Sequence, residues 1–168
     1  MMNKSLAVLI PARYNSKRLD KKPLIKIGRQ NLINKTFDNV ANCFNKNDIY
    51  VITDHKNVVD SLSKKTNNLI LIKKNFLNGS ERCSFALKKI KKKYDYYLIV
   101  SCDNPFLNKK LFNFLKYKLK NIDKKIDAFT IHTDISESKA RNENIAKIIV
   151  NHLNDVIYIS RSLIPFIF

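Results

Sequence analysis

Arg13, Lys17, Arg18, Lys21 and Lys22 crowd five cations into residues 13–22, with only Asp20 against them. Like charges held this close are unfavourable unless an anion lies among them, and a polyphosphate would satisfy them. The competing reading is an ordinary solvated loop in a lysine-rich chain. A single carboxylate, Asp103, closes an apolar run further on, within Ser101-Cys102-Asp103-Asn104-Pro105. One carboxylate opposite a loop of cations suits Mg²⁺-assisted chemistry on a nucleotide. That metal is commonly held by one or two carboxylates together with substrate phosphates. The cations would neutralise the phosphates and the charge on a departing pyrophosphate. The expected cofactor is Mg²⁺, with Asp103 as its ligand. Walker A and GxGxxG motifs are both absent from the sequence, so neither a P-loop nor a dinucleotide site is expected.

These groups need strands to present them. Leu6-Ala7-Val8-Leu9-Ile10 is apolar without alternation, which fits a strand buried on both faces, and Pro11 suits the end of that strand. Residues 48–53, 69–72 and 96–100 predict three further strands. Between and after them, spacing near 3.6 predicts helices at residues 30–43, around Val58, Val59 and Leu62, after Asn78-Gly79-Ser80, and around Leu111, Phe112, Leu115 and Leu119. Asn78 or Ser80 could cap the third of these, whose first N–H groups would favour an anion. Residues 127–132 predict another strand, and residues 145–150 and 155–160 a hairpin turning near 151–154. Alternating strands and helices mean an α/β fold with a mostly parallel, mixed sheet and helices on both faces. Fold logic orders the first four strands 3-2-1-4, placing Asp103 opposite the basic loop at the sheet's carboxyl end, where such folds bind ligands.

Length and composition narrow the classes. The chain has 168 residues, 45% of them hydrophobic, which suits one globular domain spanning 1–168. No apolar run approaches a membrane span, and the N-terminal run is too short for a secretory signal, so the cytoplasm is expected. Cys43, Cys83 and Cys102 lack paired spacing, which argues against a disulfide framework or a zinc site. The net charge of +18 suggests polyanionic partners. However, the excess is mostly lysine, 26 against 6 arginine, in a chain that also holds 21 asparagines and 21 isoleucines. That combination reflects an A+T-rich coding sequence, so no nucleic-acid partner is expected. A basic nucleic-acid-binding domain is the reading from a different class; it would show clustered aromatics or an RNA-recognition motif, and neither is present.

The motifs then become recognisable. IPARYNSKRLDKKPL resembles the IPARYxSxRLPGKPL opening of the 3-deoxy-manno-octulosonate cytidylyltransferases, the CMP-Kdo synthetases. Thr53-Asp54-His55 with Val58 resembles that family's ATDHxxV, and Asn78-Gly79-Ser80-Glu81-Arg82 its SGTER. Ser101 to Pro105 stands at its QGDEP. Asn144-Ile145-Ala146-Lys147 and Tyr158-Ile159-Ser160-Arg161 are similar to its NxVK and YFSR. The resemblance implies a Rossmann-like nucleotidyltransferase fold and CTP and a 2-keto sugar acid as substrates. It implies CMP transfer with Arg13, Lys22 and Asp103 as the catalytic residues, and metal binding by Asp103. It places Ala12, Arg13, Ser16, Arg18, Lys22, Ser80, Ser101 and Asp103 around the nucleotide. Arg82, Asn144, Lys147, Ser160 and Arg161 match motif positions near the substrate. Family members are homodimers, an assembly less expected here because the chain stops just past the SR segment, where they continue.

Several positions depart from the pattern. Asp20 and Lys21 replace the proline and glycine of RLPGKPL, and lysine suits a left-handed backbone poorly. Ser101, Cys102 and Asn104 replace glutamine, glycine and glutamate. The alternatives within the same fold are a degenerate, weakly active or inactive remnant of the family, or an acylneuraminate cytidylyltransferase.

Overall fold

Ala7, Val8, Leu9 and Ile10 are all at most 1% exposed, so the opening apolar run is the doubly covered strand that its composition predicts. The structure is a computed structural model and describes residues 4–15, 19–123 and 125–165. It divides into two compact units, Met1–Ile122 and Asp123–Phe168.

In the first unit, strand β1 (Leu6–Ala12) is flanked by β4 (Ile49–Thr53) and β6 (Tyr96–Ile99), and β5 (Leu69–Leu71) pairs with β4. The order β5-β4-β1-β6 is the expected 3-2-1-4, and every pairing is parallel. Pro11 lies inside β1, opposite Ile52, one residue before the strand's end. The first helix is shorter than its periodicity suggests: α1 is Leu32–Ala41. Gln30–Asn31 (β3) pairs instead with Lys26–Ile27 (β2) around Gly28, whose φ of 64° suits glycine.

Both faces of the sheet carry helices. Val8, Ile10 and Ala12 pack with Ile33, Phe37 and Val40 of α1, with Val58 and Leu62 of α2 (Lys56–Leu62), and with Phe112 and Leu115 of α4 (Lys109–Lys120). Leu9 and Ile52 face the other way, onto Cys83 and Ala86 of α3 (Gly79–Leu87). Phe37 and Phe112, at most 1% exposed, each contribute about 1.5–3 kcal/mol through burial. Caps set the helix starts. The side chain of Asn78, the N-cap, accepts the Glu81 N–H, while Glu81 Oε2 accepts the N–H of the preceding residue, Leu77, at 2.7 Å, and the two bonds together begin α3.

In the second unit, β7 (Lys147–Val150) and β8 (Val156–Ser160) form the expected antiparallel hairpin, its turn carrying Asn154 at φ 65°. Its strands pair with each other, and among the described residues every pairing in the sheet of the first unit is parallel. Residues 127–132 are not a strand. Their apolar members Phe129 and Ile131 are 42% and 46% exposed, and apolar alternation without a pairing partner does not stabilise a strand. A short helix, α5 (Glu137–Ala140), lies between.

Candidate active site

β1 and β6 run parallel side by side, with Leu9 opposite Ile99, so their carboxyl ends open onto the same edge. Ala12 is buried there, Arg13 is exposed and Tyr14 is 8% exposed. Ser16, Lys17 and Arg18 lie outside the described residues. The chain returns through Asp20 and Lys21 to a 3₁₀ turn, Lys22–Leu24, with Pro23 in its first turn, where a missing N–H is harmless. From this turn Lys22 Nζ reaches Asp103 Oδ2 at 2.5 Å. The two loops singled out for chemistry therefore meet through a direct ion pair.

Lys21 explains how the turn closes. Its φ is 52° and ψ 26°, left-handed backbone where the resembled motif has glycine. Lysine adopts the conformation at a steric cost. Replacing Lys21 with glycine is expected to stabilise the chain by about 1 kcal/mol, the strain removed exceeding the added chain entropy. Urea unfolding checks this; a lower midpoint for the variant would contradict it.

α1 holds the second loop. The Thr36 hydroxyl, wholly buried, lies 2.8 Å from the Cys102 carbonyl and 3.0 Å from that of Leu32. Asn39 Nδ2 donates to the carbonyls of Pro105 and Leu107. A helix thus fixes the backbone on both sides of Asp103. Sequence reading passed over Thr36 and Asn39. The available signal was a threonine on the apolar face between Ile33, Phe37 and Val40, since a buried hydroxyl must find a partner.

Electrostatics keep Asp103 charged. Partial burial opposes its ionisation, but hydrogen bonds from Lys22 and Ser101 and the Lys22 charge outweigh it and hold the carboxyl below its ordinary value. Its side chain remains 43% exposed. Beside it, burial and then the Asp103 charge push the Cys102 thiol up to about 11, and burial pushes Cys83 up to about 12. Neither thiol should react with iodoacetamide at pH 8 in the folded chain, and both should after denaturation. Native labelling of Cys83 or Cys102, followed by mass spectrometry, would contradict the burial.

The α3 start also approaches this edge. A Cβ on Gly79 would lie 3.1 Å from Pro11 Cγ, so glycine permits the close seat, and Ser80 is exposed in the first turn. Arg82 behaves differently from an exposed ligand-binding cation. It is 2% exposed, donates to Asp54 Oδ2 at 3.2 Å and to the Ile72 carbonyl, and lies over the Phe76 ring. Asp54 in turn accepts the Tyr14 N–H at 2.8 Å.

The last two motifs meet within the second unit. Lys147, 8% exposed, donates to the carbonyls of Asn142, Ile145 and Arg161. Arg161 Nη1 donates to the carbonyls of Glu143 and Asn144. Ser160 ends β8, its hydroxyl accepting the Ser162 N–H. Lys147 and Arg161 are thus engaged with backbone carbonyls, tying the ends of the hairpin to the turn before it.

Residues 7–168 match the family described as Cytidylyltransferase. The 3-deoxy-manno-octulosonate cytidylyltransferase of Rickettsia typhi is 32% identical over 168 residues, covering 98% of this chain and 68% of that protein. The enzyme of the same name from Zea mays is 30% identical over 158 residues, covering 94% of this chain and 53% of that protein. Among solved structures, CMP:2-keto-3-deoxy-manno-octonic acid synthetase complexed with CTP superposes with a TM-score of 0.78 at 25% identity, over 96% of this chain and 66% of that one. The chain spans about half to two thirds of the length of the curated relatives it matches.

Proposed function

This chain belongs to the 3-deoxy-manno-octulosonate cytidylyltransferase family, and we propose that it transfers CMP from CTP to 3-deoxy-manno-octulosonate, releasing pyrophosphate. The observation that carries this reading is the Lys22–Asp103 pair, which joins a basic loop to a charged carboxylate at the carboxyl edge of the sheet. In the reaction the sugar's anomeric oxygen attacks the α-phosphorus, the hydroxyl proton leaves to solvent, and the bond from the α-phosphorus to the bridging oxygen of pyrophosphate breaks. There is little covalent work for side chains, so rate comes from positioning and charge neutralisation. Arg13 and Lys22 bind and neutralise the triphosphate, together with Arg18. Ala12, Ser16, Ser80 and Ser101 border the nucleotide.

Asp103 fits a Mg²⁺ ion held partly by phosphate: it is ionised, partly exposed and single. Among the described residues no cluster of three or more acidic, His or Cys side chains could cage a metal alone. Bound there, Mg²⁺ would supply charge stabilisation on the phosphates. The expected nearness of Asn144, Lys147, Ser160 and Arg161 to the sugar acid belongs to this proposal, with Lys147 and Arg161 acting through the shape of their hairpin. No helix among the described residues is long and apolar enough to cross a membrane; a cytoplasmic place and a role in lipopolysaccharide synthesis complete the reading.

The strained Lys21 and the loss of glutamine at Ser101 favour a second reading, a weakly active or inactive member of the family. One assay separates them. Chain with CTP, Mg²⁺ and the sugar acid should release pyrophosphate, and faster with 3-deoxy-manno-octulosonate than with an acylneuraminate. Release with neither acid would favour the second reading.

A further inference from the structure

Arg82 and Asp54 form the most enclosed ion pair among the described residues, and the proposed chemistry does not use it. Ala12 pairs with Thr53 at the ends of β1 and β4, so Arg13-Tyr14 and Asp54-His55 leave the sheet side by side. Both oxygens of Asp54 are committed. Oδ1 accepts the Tyr14 N–H at 2.8 Å, and Oδ2 takes Arg82 Nη2 at 3.2 Å. That N–H belongs to the peptide whose carbonyl half is Arg13, so its direction fixes the backbone from which Arg13 projects. The Tyr14 ring stacks on His55, with centroids 3.8 Å apart and planes 11° from parallel. His55 is itself held, its N–H on Thr53 Oγ1 and its Nδ1 accepting the Asn57 N–H. Arg82, 2% exposed, is held by the Ile72 carbonyl and the Phe76 ring, its guanidinium 5.0 Å from the ring centroid.

A guanidinium so enclosed is placed to act through Asp54. Buried ion pairs add little net stability over apolar replacements, and a carboxylate locked by an arginine is a rigid acceptor. We propose that Asp54 is a positioning residue, which Arg82 orients and which sets the Arg13–Tyr14 peptide so that Arg13 meets the phosphates of the nucleotide. The inference rests on the proposed CTP site for its functional part. Its structural part stands apart from that site.

The test compares two double variants that both lack the buried charges. Asp54→Asn with Arg82→Met keeps an oxygen acceptor for the Tyr14 N–H, whereas Asp54→Leu with Arg82→Met removes it. By calorimetry in Mg²⁺, the leucine variant should bind CTP at least about tenfold more weakly than the asparagine variant. By hydrogen exchange without ligand, the Tyr14 amide should exchange at least about tenfold faster in the leucine variant. Equal CTP affinity in the two variants overturns the positioning role. An unprotected Tyr14 amide in the unmodified chain overturns the clasp itself, whichever variants fold. Absence of CTP binding by the unmodified chain, with its Tyr14 amide protected, would count against the CTP site and leave the clasp standing.

Discussion

Replacing Asp103 with asparagine is expected to reduce CTP-dependent pyrophosphate release by at least about a hundredfold while leaving the fold intact. Asparagine matches aspartate in shape and can accept from Lys22 and Ser101, so the loop that Thr36 and Asn39 hold keeps its place. What disappears is the negative charge that would bind the metal. The pair with Lys22 lies toward solvent, its partners 29% and 43% exposed, and such pairs add little to stability. Activity should therefore fall without a matching fall in melting temperature. The pH dependence has a fixed sign. The carboxyl is held below its ordinary value when folded, so its ionised form persists to lower pH than that of an ordinary aspartate. Asp103 should not limit activity near pH 5. A variant with parental turnover would sink the assignment.

Asp54→Ala should be the most damaging single change outside the core, at about 3–5 kcal/mol. It leaves the Arg82 guanidinium, 2% exposed, without a counter-charge, and the Tyr14 N–H without its acceptor. Urea unfolding should show a lower midpoint with an unchanged slope. Adding Arg82→Met to Asp54→Ala should recover part of the loss, because it removes the stranded charge. A loss below about 1 kcal/mol, or no recovery, would mean that the pair is not buried as described.

The parts of the fold that were legible in the sequence have a common physical cause. Residues 6–10, 48–53, 69–72 and 96–100 each carry an apolar run and lie on a strand, in the order β5-β4-β1-β6; the inner strands β1 and β4 are covered on both faces, whereas the outer ones leave Leu71, Tyr97 and Ile99 exposed. The glycine at position 79 and its capping neighbours marked α3, and the close seat on Pro11, 3.1 Å from where a Cβ would lie, suits a residue without one. Residues 127–132 misled because periodicity records what could be buried, not whether a partner strand exists. The hairpin of β7 and β8 was legible because its two apolar runs flank a turn rich in asparagine.

In the site, charge was legible and direction was not. The Lys22–Asp103 meeting follows from strand order alone, since neighbouring parallel strands end at one edge. Arg82 and Lys147 are arginine and lysine like many others in a chain of charge +18. Only the structure reveals that one faces Asp54 and the other three backbone carbonyls. The departure at Lys21 was legible as a risk, and its φ of 52° makes it a definite strain.

Melting the chain with Mg²⁺ and millimolar CTP measures the proposed CTP binding at the carboxyl edge of β1 and β6. The melting temperature should rise with CTP concentration, and the rise should be lost in Asp103→Asn. No CTP-dependent rise at millimolar nucleotide would contradict that binding.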